Sequence, residues 1–200
     1  MNNNPTSSSS LLTASNEDLR RTLLDLIVKY AYREGDFVLS SGARSSYYIN
    51  CKEVTLRAEG ALIIGRLILN AIPESTAAVA GLTLGADPIV SAVSVMSAIK
   101  DCSIPGLIIR KQAKGHGTQA YIEGPKLAEG ARVVVLEDVV TTGKSALQAV
   151  ERLQAVGYQV GEIISLVDRK QGGRELYESE GLKFQALFEI EELQQYVTSP

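Results

Sequence analysis

ARVVVLEDVVTTGKSAL, residues 131–147, is the stretch that decides the fold of this chain. Its apolar run, residues 133–136, is rich in β-branched side chains, as is typical of a strand buried on both faces of a parallel sheet. Glu137 and Asp138 follow at the carboxyl end of that strand. Open α/β sheets bind their ligands at this edge, so the acidic pair is a candidate binding site.

The turn after the acidic pair predicts an anion site. Thr141, Thr142 and Gly143 lead into a helix that we expect to begin near Lys144. A helix start offers free backbone N–H groups and the positive end of the helix dipole, and the threonine hydroxyls add donors. A phosphate could therefore bind here without a basic side chain.

Three interpretations of this stretch compete. Gly143, Lys144 and Ser145 spell the end of a nucleotide-binding P-loop, but Asp138 stands where that motif needs its first glycine, and its carboxylate would repel phosphate. A second interpretation is purely structural, a buried strand followed by a threonine-rich helix cap. The third is a site for a phosphorylated ribose, in which two carboxylates accept hydrogen bonds from sugar hydroxyls while the turn holds the phosphate.

Length and composition favour one cytoplasmic domain. The chain has 200 residues, of which 45% are hydrophobic, and a formal net charge of −3. This size suits a single core, and the charge argues against nucleic acid as the main partner. Cys51 and Cys102 are the only cysteines, which favours a reducing compartment. We find no run typical of a membrane span or a signal peptide, so no membrane partner is expected.

The pattern along the chain predicts alternating strands and helices. We expect a mobile tail over residues 1–15, a domain over residues 16–200, and within it a small hairpin at about residues 36–56. Helices are predicted over 16–35, 59–72, 88–100, 144–156 and 190–196, and strands over 77–80, 107–109, 133–136, 160–167 and 183–188.

Residues 137–145, EDVVTTGKS, resemble the phosphoribosyl diphosphate signature of the type I phosphoribosyltransferases. The resemblance implies an α/β fold with a mainly parallel central sheet, flanking helices and a small N-terminal hood. It also implies that Asp138 is catalytic and that the other residues of the signature bind substrate: Glu137, Val139, Val140, Thr141, Thr142, Gly143, Lys144 and Ser145.

Residues 41–50, SGARSSYYIN, are similar to the hood segment of the orotate phosphoribosyltransferases. From the pattern alone this is a hairpin with surface serines. The resemblance implies that Tyr47 and Tyr48 contact the base, since flat rings stack on flat rings. Two positions depart from relatives: Ser40 stands where several have a lysine, and Leu84, in the loop expected to face the diphosphate, replaces part of a Tyr-Lys pair.

The segment RKQAKGHG, residues 110–117, matches the catalytic loop of the same family. A basic run is usually a solvated surface, and the single histidine could be an ordinary surface residue. The resemblance instead implies that Arg110, Lys114 and His116 are catalytic and that Lys111 binds substrate. Because the family's loop reaches into a neighbouring subunit, it also implies a homodimer with shared active sites.

Arg169, in DRKQGGRE, is similar to the arginine that pairs with the acceptor base in orotate phosphoribosyltransferases. Taken alone it would be an exposed loop arginine. Together the four segments imply transfer of phosphoribosyl from phosphoribosyl diphosphate to orotate, with Mg²⁺ carried mainly by the substrate. Two alternatives stay open: a phosphoribosyltransferase for another base, and a regulator that binds phosphoribosyl diphosphate without catalysis.

Overall fold

The computed structural model describes residues 8–38, 42, 44–113 and 121–198. A six-stranded sheet in the order β5-β4-β3-β6-β7-β8 forms its centre, and all neighbouring strands are parallel except β4 and β5. The strands of this sheet are β3 (Ala78–Leu82), β4 (Gly106–Ile109), β5 (Ile122–Glu123), β6 (Arg132–Val140), β7 (Gln159–Asp168) and β8 (Lys183–Glu189). The predicted α/β class with a mainly parallel sheet is confirmed.

Helices cover both faces of this sheet because its central strands are apolar on both sides. In β6, Val134 and Leu136 pack into one core cluster, while Val133 and Val135 pack into the other. The helices are α1 (Ser8–Thr13), α2 (Asn16–Leu26), α3 (Lys52–Thr55), α4 (Ala58–Ala71), α5 (Asp87–Ile99), α6 (Lys144–Gln154), α7 (Gly173–Ser179) and α8 (Ile190–Thr198). None of the helices in the described ranges is long and apolar enough to cross a membrane.

The hood is a two-stranded antiparallel sheet of β1 (Tyr32–Val38) and β2 (Arg44–Ile49). It begins earlier than predicted. The helix expected to run to Gly35 ends instead in a π-helical turn, Ile27–Ala31, and the chain is extended from Tyr32. After β2 the short helix α3 replaces the rest of the expected second strand.

The expected mobile tail is wrong for residues 8–15. This segment forms α1, and its Leu11 is 3% exposed within the core. The buried Arg66 of α4 donates hydrogen bonds to the carbonyl oxygens of Leu11 and of Ala14, the latter at 3.1 Å. An apolar anchor and a long-range guanidinium contact therefore order a stretch whose composition suggested none. Residues 1–7 lie outside the described part of the chain.

Helix α7 was not predicted, because its seven residues are too few to show a clear helical period. Its Tyr177 is fully buried and makes an edge contact with the ring of Phe184 of β8, with 5.1 Å between ring centroids. The cysteines form no disulfide: Cys51 is buried and Cys102 is exposed, and both are free thiols.

Candidate active site

The candidate site lies between β3 and β6, from which the following connections run in opposite directions along the sheet. From β3 the chain passes through α5 to β4 on one side, and from β6 it passes through α6 to β7 on the other. Neighbouring β3 and β6 therefore leave a crevice outside their carboxyl ends, which is where open α/β sheets bind ligands.

The sequence suggested that Glu137 and Asp138 follow β6. In the structure they lie within it. The strand runs to Val140, because Glu137 pairs with Ser165 of β7 and Val140 pairs with Asp168. The backbone ladder thus continues past both carboxylates. Their positions are set by the sheet and not by a loop.

Glu137 is buried, with 7% of its surface exposed. Its Oε1 accepts a hydrogen bond from the backbone N–H of Asp138 at 3.3 Å, and its Oε2 has no partner among the described residues. Burial, and then the neighbouring charge of Asp138, raise the pKa of Glu137 well above its ordinary value, while the charge of Lys111 acts the other way. Such a carboxyl group gains much from donors supplied by a ligand.

Asp138 touches the loop that follows β3. A Cβ atom on Gly85 would lie 2.5 to 2.6 Å from the Asp138 carboxylate, so any larger residue there would displace that side chain. The Oδ1 of Asp138 accepts from the backbone N–H of Val139 at 3.0 Å. In the same loop the Thr83–Leu84 peptide bond is cis, and the N–H of Thr83 donates to the carbonyl of Ile109 at 2.8 Å. The loop after β3 therefore contacts both the end of β6 and the end of β4.

The turn after β6 forms a small cup. Gly143 has φ of +82°, a left-handed conformation that favours glycine, and it precedes the first residue of α6. The cup has a volume of about 70 Å³ and is lined by Glu137, Val139, Val140, Thr141, Thr142, Gly143, Lys144, Ser145 and Tyr177. Each predicted residue of the phosphoribosyl diphosphate signature except Asp138 lines this one cavity. Tyr177 was not expected there.

The described part of the basic segment lies at the same edge of the sheet. Arg110 forms an ion pair with Glu123 of β5, with 3.1 Å between Nη1 and Oε1. Lys111 is exposed, and its charge reaches Glu137. Lys114 and His116, predicted as catalytic, lie outside the described residues.

Arg152, which the sequence did not single out, contacts the start of this basic segment and also Tyr121. From α6 it donates hydrogen bonds to the carbonyl oxygens of Arg110 and Lys111, the latter at 3.1 Å. Its guanidinium also lies 4.1 Å from the centroid of the Tyr121 ring, where the described chain resumes. An arginine on a polar helix face gives no sequence signal for such a contact.

Arg169 and Tyr47, predicted from separate segments to select the base, are in contact. The Nε of Arg169 donates to the hydroxyl of Tyr47 at 3.0 Å, and its Nη2 donates to the hydroxyl of Ser45 at 3.3 Å. Arg169 is buried, not exposed in a loop, and its N–H donates to the carbonyl of Val140 at the end of β6. The hood is thus tied directly to the strand that carries the acidic pair.

Tyr48 lies on the other face of β2. It is 45% exposed, and its ring is 5.7 Å from that of Phe37. Successive side chains of a strand alternate between its faces, so Tyr47 and Tyr48 do not share one surface. A base contact by Tyr48 stays a prediction.

Comparisons with known proteins agree with this geometry. The model of the phosphoribosyl transferase domain matches residues 56–192. The orotate phosphoribosyltransferase of Nostoc sp. is 68% identical over 183 residues, which cover 92% of this chain and 89% of that protein. That of Synechocystis sp. is 66% identical over 185 residues, covering 92% of this chain and 93% of that protein.

A similar fold is found in a solved structure with a ligand. It is the Mycobacterium tuberculosis orotate phosphoribosyltransferase in complex with 5-phospho-α-D-ribosyl 1-diphosphate. Its TM-score is 0.73 at 34% identity, and the match covers 88% of this chain and 99% of that one.

The raised pKa of Glu137 predicts how the pH affects stability. In the unfolded chain this carboxyl group ionises near its ordinary value, while in the folded chain it keeps its proton to higher pH. Between those two values the folded state binds more protons, so stability falls as the pH rises. Glu137→Gln removes the ionisation. We expect it to raise the free energy of unfolding in urea more at pH 8 than at pH 5.

The exposed Glu151→Gln provides the matched control for this substitution, and its effect should stay within about 0.5 kcal/mol at both pH values. A Glu137→Gln variant less stable than the wild type at pH 8 would contradict the prediction.

Proposed function

The chain belongs to the orotate phosphoribosyltransferases, and from this premise we propose how its residues divide the work of the reaction. These enzymes transfer phosphoribosyl from phosphoribosyl diphosphate to orotate, giving orotidine monophosphate and diphosphate in pyrimidine synthesis. One observation supports the assignment of roles above all. The cup, the acidic pair and the Arg169–Tyr47 pair all lie at the end of β6.

The donor would bind through the cup and the acidic pair. The turn at 141–145 offers backbone N–H groups, hydroxyls and a helix start to the 5′-phosphate. Glu137 and Asp138 accept hydrogen bonds from the two ribose hydroxyls of the same sugar. Donation to the unpartnered Oε2 of Glu137 favours its ionised form and offsets part of the cost of its burial.

The basic segment would act on the leaving group. As the bond from ribose C1 to the diphosphate breaks, positive charge grows on the sugar and negative charge grows on the departing diphosphate. Cations whose contacts strengthen in this transition state lower the barrier. Arg110 and Lys111 stand at the base of the segment, held there by Arg152. The roles of Lys114 and His116 are proposed from the sequence motif alone.

The acceptor would bind between the hood and the end of β7. Orotate carries a carboxylate and ring carbonyls, which suit the planar fork of a guanidinium group. Arg169 uses Nε and Nη2 for Tyr47 and Ser45, so its orientation is fixed before the substrate arrives. Tyr47 is buried, with its ring stacked on that of Tyr32, so it would act by orienting this guanidinium.

Arg169→Lys tests the choice of base. Lysine keeps the charge but loses the planar fork, so the KM for orotate should rise by about ten- to a hundredfold, while the KM for phosphoribosyl diphosphate stays within about twofold. Steady-state assays with orotate, hypoxanthine and adenine side by side would measure this. The exposed Arg21→Lys is the matched control.

An Arg169→Lys variant with an unchanged KM for orotate would remove Arg169 from the acceptor site. A wild-type chain that used hypoxanthine but not orotate would contradict the assignment of substrate itself.

Magnesium is the cofactor that fits this site, with the substrate as its main ligand. Within the described ranges, no group of three or more His, Cys, Asp or Glu side chains could hold a metal ion. Glu137 and Asp138 provide only two carboxylates, so they would face the ion through ribose hydroxyls and water. Bound Mg²⁺ supplies positive charge to the departing diphosphate.

Removal of the ion tests this proposal. With excess EDTA we expect turnover to fall to background and the affinity for phosphoribosyl diphosphate, measured by calorimetry, to weaken. Added Mg²⁺ should restore both. Full turnover in EDTA would rule out a magnesium requirement.

The assembly we propose is a homodimer in the cytosol. Two free cysteines agree with a reducing compartment.

Helix α5 exposes an apolar stripe that includes Val95, which is 60% exposed, and Ile99. At one end of this stripe, Leu56 and Leu84 line a pocket with Pro88. Exposed apolar surface of this kind favours a protein partner, and a second copy of this chain would also share its basic segment.

Val95→Asp tests the dimer. A charge in the stripe should shift the sedimentation coefficient from that of a dimer to that of a monomer, and turnover should fall with it. Val197→Asp, at an exposed position of α8, should change neither. A monomeric wild type with full activity would contradict the proposal.

A further inference from the structure

Helix α7 and the sheet beside it enclose unpaired polar atoms, and the roles proposed above involve only one of them, Oε2 of Glu137. Among the described residues, four buried side-chain atoms near the cup have no hydrogen-bond partner: Glu137 Oε2, Ser165 Oγ, Asp168 Oδ2 and Tyr177 Oη. Buried polar atoms are nearly always paired, directly or through bound water. Glu137 and Ser165 are cross-strand neighbours. The negative charges of Glu137 and Asp168 both raise the pKa of Tyr177.

The position of Tyr177 is fixed by packing. A Cβ atom on Gly143 would lie 2.9 Å from its Cε1 and 3.0 Å from its Cζ, so the phenol end of the ring rests against the phosphate turn. The Phe184 contact holds the other side of the ring. Tyr177 also lines the cup together with Glu137. These contacts fix the ring, and with it the position of the buried hydroxyl oxygen beside the cup.

Glu137 is the better acceptor of the two carboxyl groups. Asp168 already accepts from the N–H of Lys170 at 2.8 Å through Oδ1, and its Oδ2 lies 3.6 Å from Nη2 of Arg174. Oε2 of Glu137 has no hydrogen-bond partner in the described ranges. Burial, with the nearby charges of Glu137 and Asp168, raises the pKa of Tyr177, so its hydroxyl keeps its proton and acts as a donor.

We propose that Tyr177 is a positioning residue for the transfer reaction: its hydroxyl donates through one bound water to Oε2 of Glu137 and orients this carboxylate toward the ribose. The inference rests on the proposed role of Glu137 as an acceptor for a ribose hydroxyl. Tyr177 itself does not touch the reacting atoms. It orients the Glu137 carboxylate, which contacts the ribose. This role accounts for a buried phenol in the lining of an anion site.

Tyr177→Phe removes only the hydroxyl oxygen and keeps the ring contacts. We expect the KM for phosphoribosyl diphosphate to rise by about tenfold, because one hydrogen bond to a charged group is lost, with kcat changed by less than about threefold. In a Glu137→Gln background the same substitution should change the KM for phosphoribosyl diphosphate by less than about twofold, because Tyr177 acts only through the Glu137 carboxylate.

Tyr158→Phe is the matched control. Tyr158 is buried in the same core cluster, and its hydroxyl accepts from the N–H of Leu127 at 3.1 Å, outside the cup. Its loss should lower the thermal unfolding temperature without changing either kinetic constant.

The possible outcomes distinguish a failure of the Tyr177 inference from a failure of the proposed role of Glu137. If Glu137→Gln raises the KM for the donor but Tyr177→Phe does not, Tyr177 has no positioning role and the role of Glu137 stands. If Tyr177→Phe has the same effect in both backgrounds, it acts independently of Glu137 and the inference is wrong. If Glu137→Gln leaves the KM unchanged, the proposed role of Glu137 fails, and the inference fails with it.

Discussion

The pairing of β6 with β7 past the acidic pair is the constraint on which the site depends. Because Glu137 and Val140 still pair with β7, the carboxylates stand on a rigid sheet edge and the phosphate turn begins at a fixed point. The same edge receives Arg169, whose N–H donates to Val140. One stretch of parallel backbone therefore sets the distance between the cup and the Arg169–Tyr47 contact.

This geometry has a cost in stability. Glu137 is buried beside another carboxylate, and several polar atoms near it have no partner among the described residues. A core built only for stability would place apolar side chains here. The arrangement is typical of sites in which the ligand supplies the missing donors. The free protein is then less stable, and the ligand binds more strongly.

Local patterns predicted the elements that local sequence determines. The buried strands, the helix after Gly143 and the acidic pair could be found because their residues are adjacent or follow a short period. Features that depend on distant contacts could not. The order of α1 depends on Arg66, and the base of the basic segment depends on Arg152. The place of Tyr177 in the cup was not predicted because it belongs to a seven-residue helix, whereas Tyr47 and Arg169 were singled out through the resemblance of their segments.

The contact between Arg169 and Tyr47 has a consequence for evolution. The two side chains are 122 positions apart in the chain, yet each satisfies a polar group of the other in a buried place. Substituting one alone leaves a guanidinium or a phenol without its partner, which costs about 1 to 3 kcal/mol. Replacing either residue alone is therefore less favourable than replacing both. Homologous chains should show these two positions changing together.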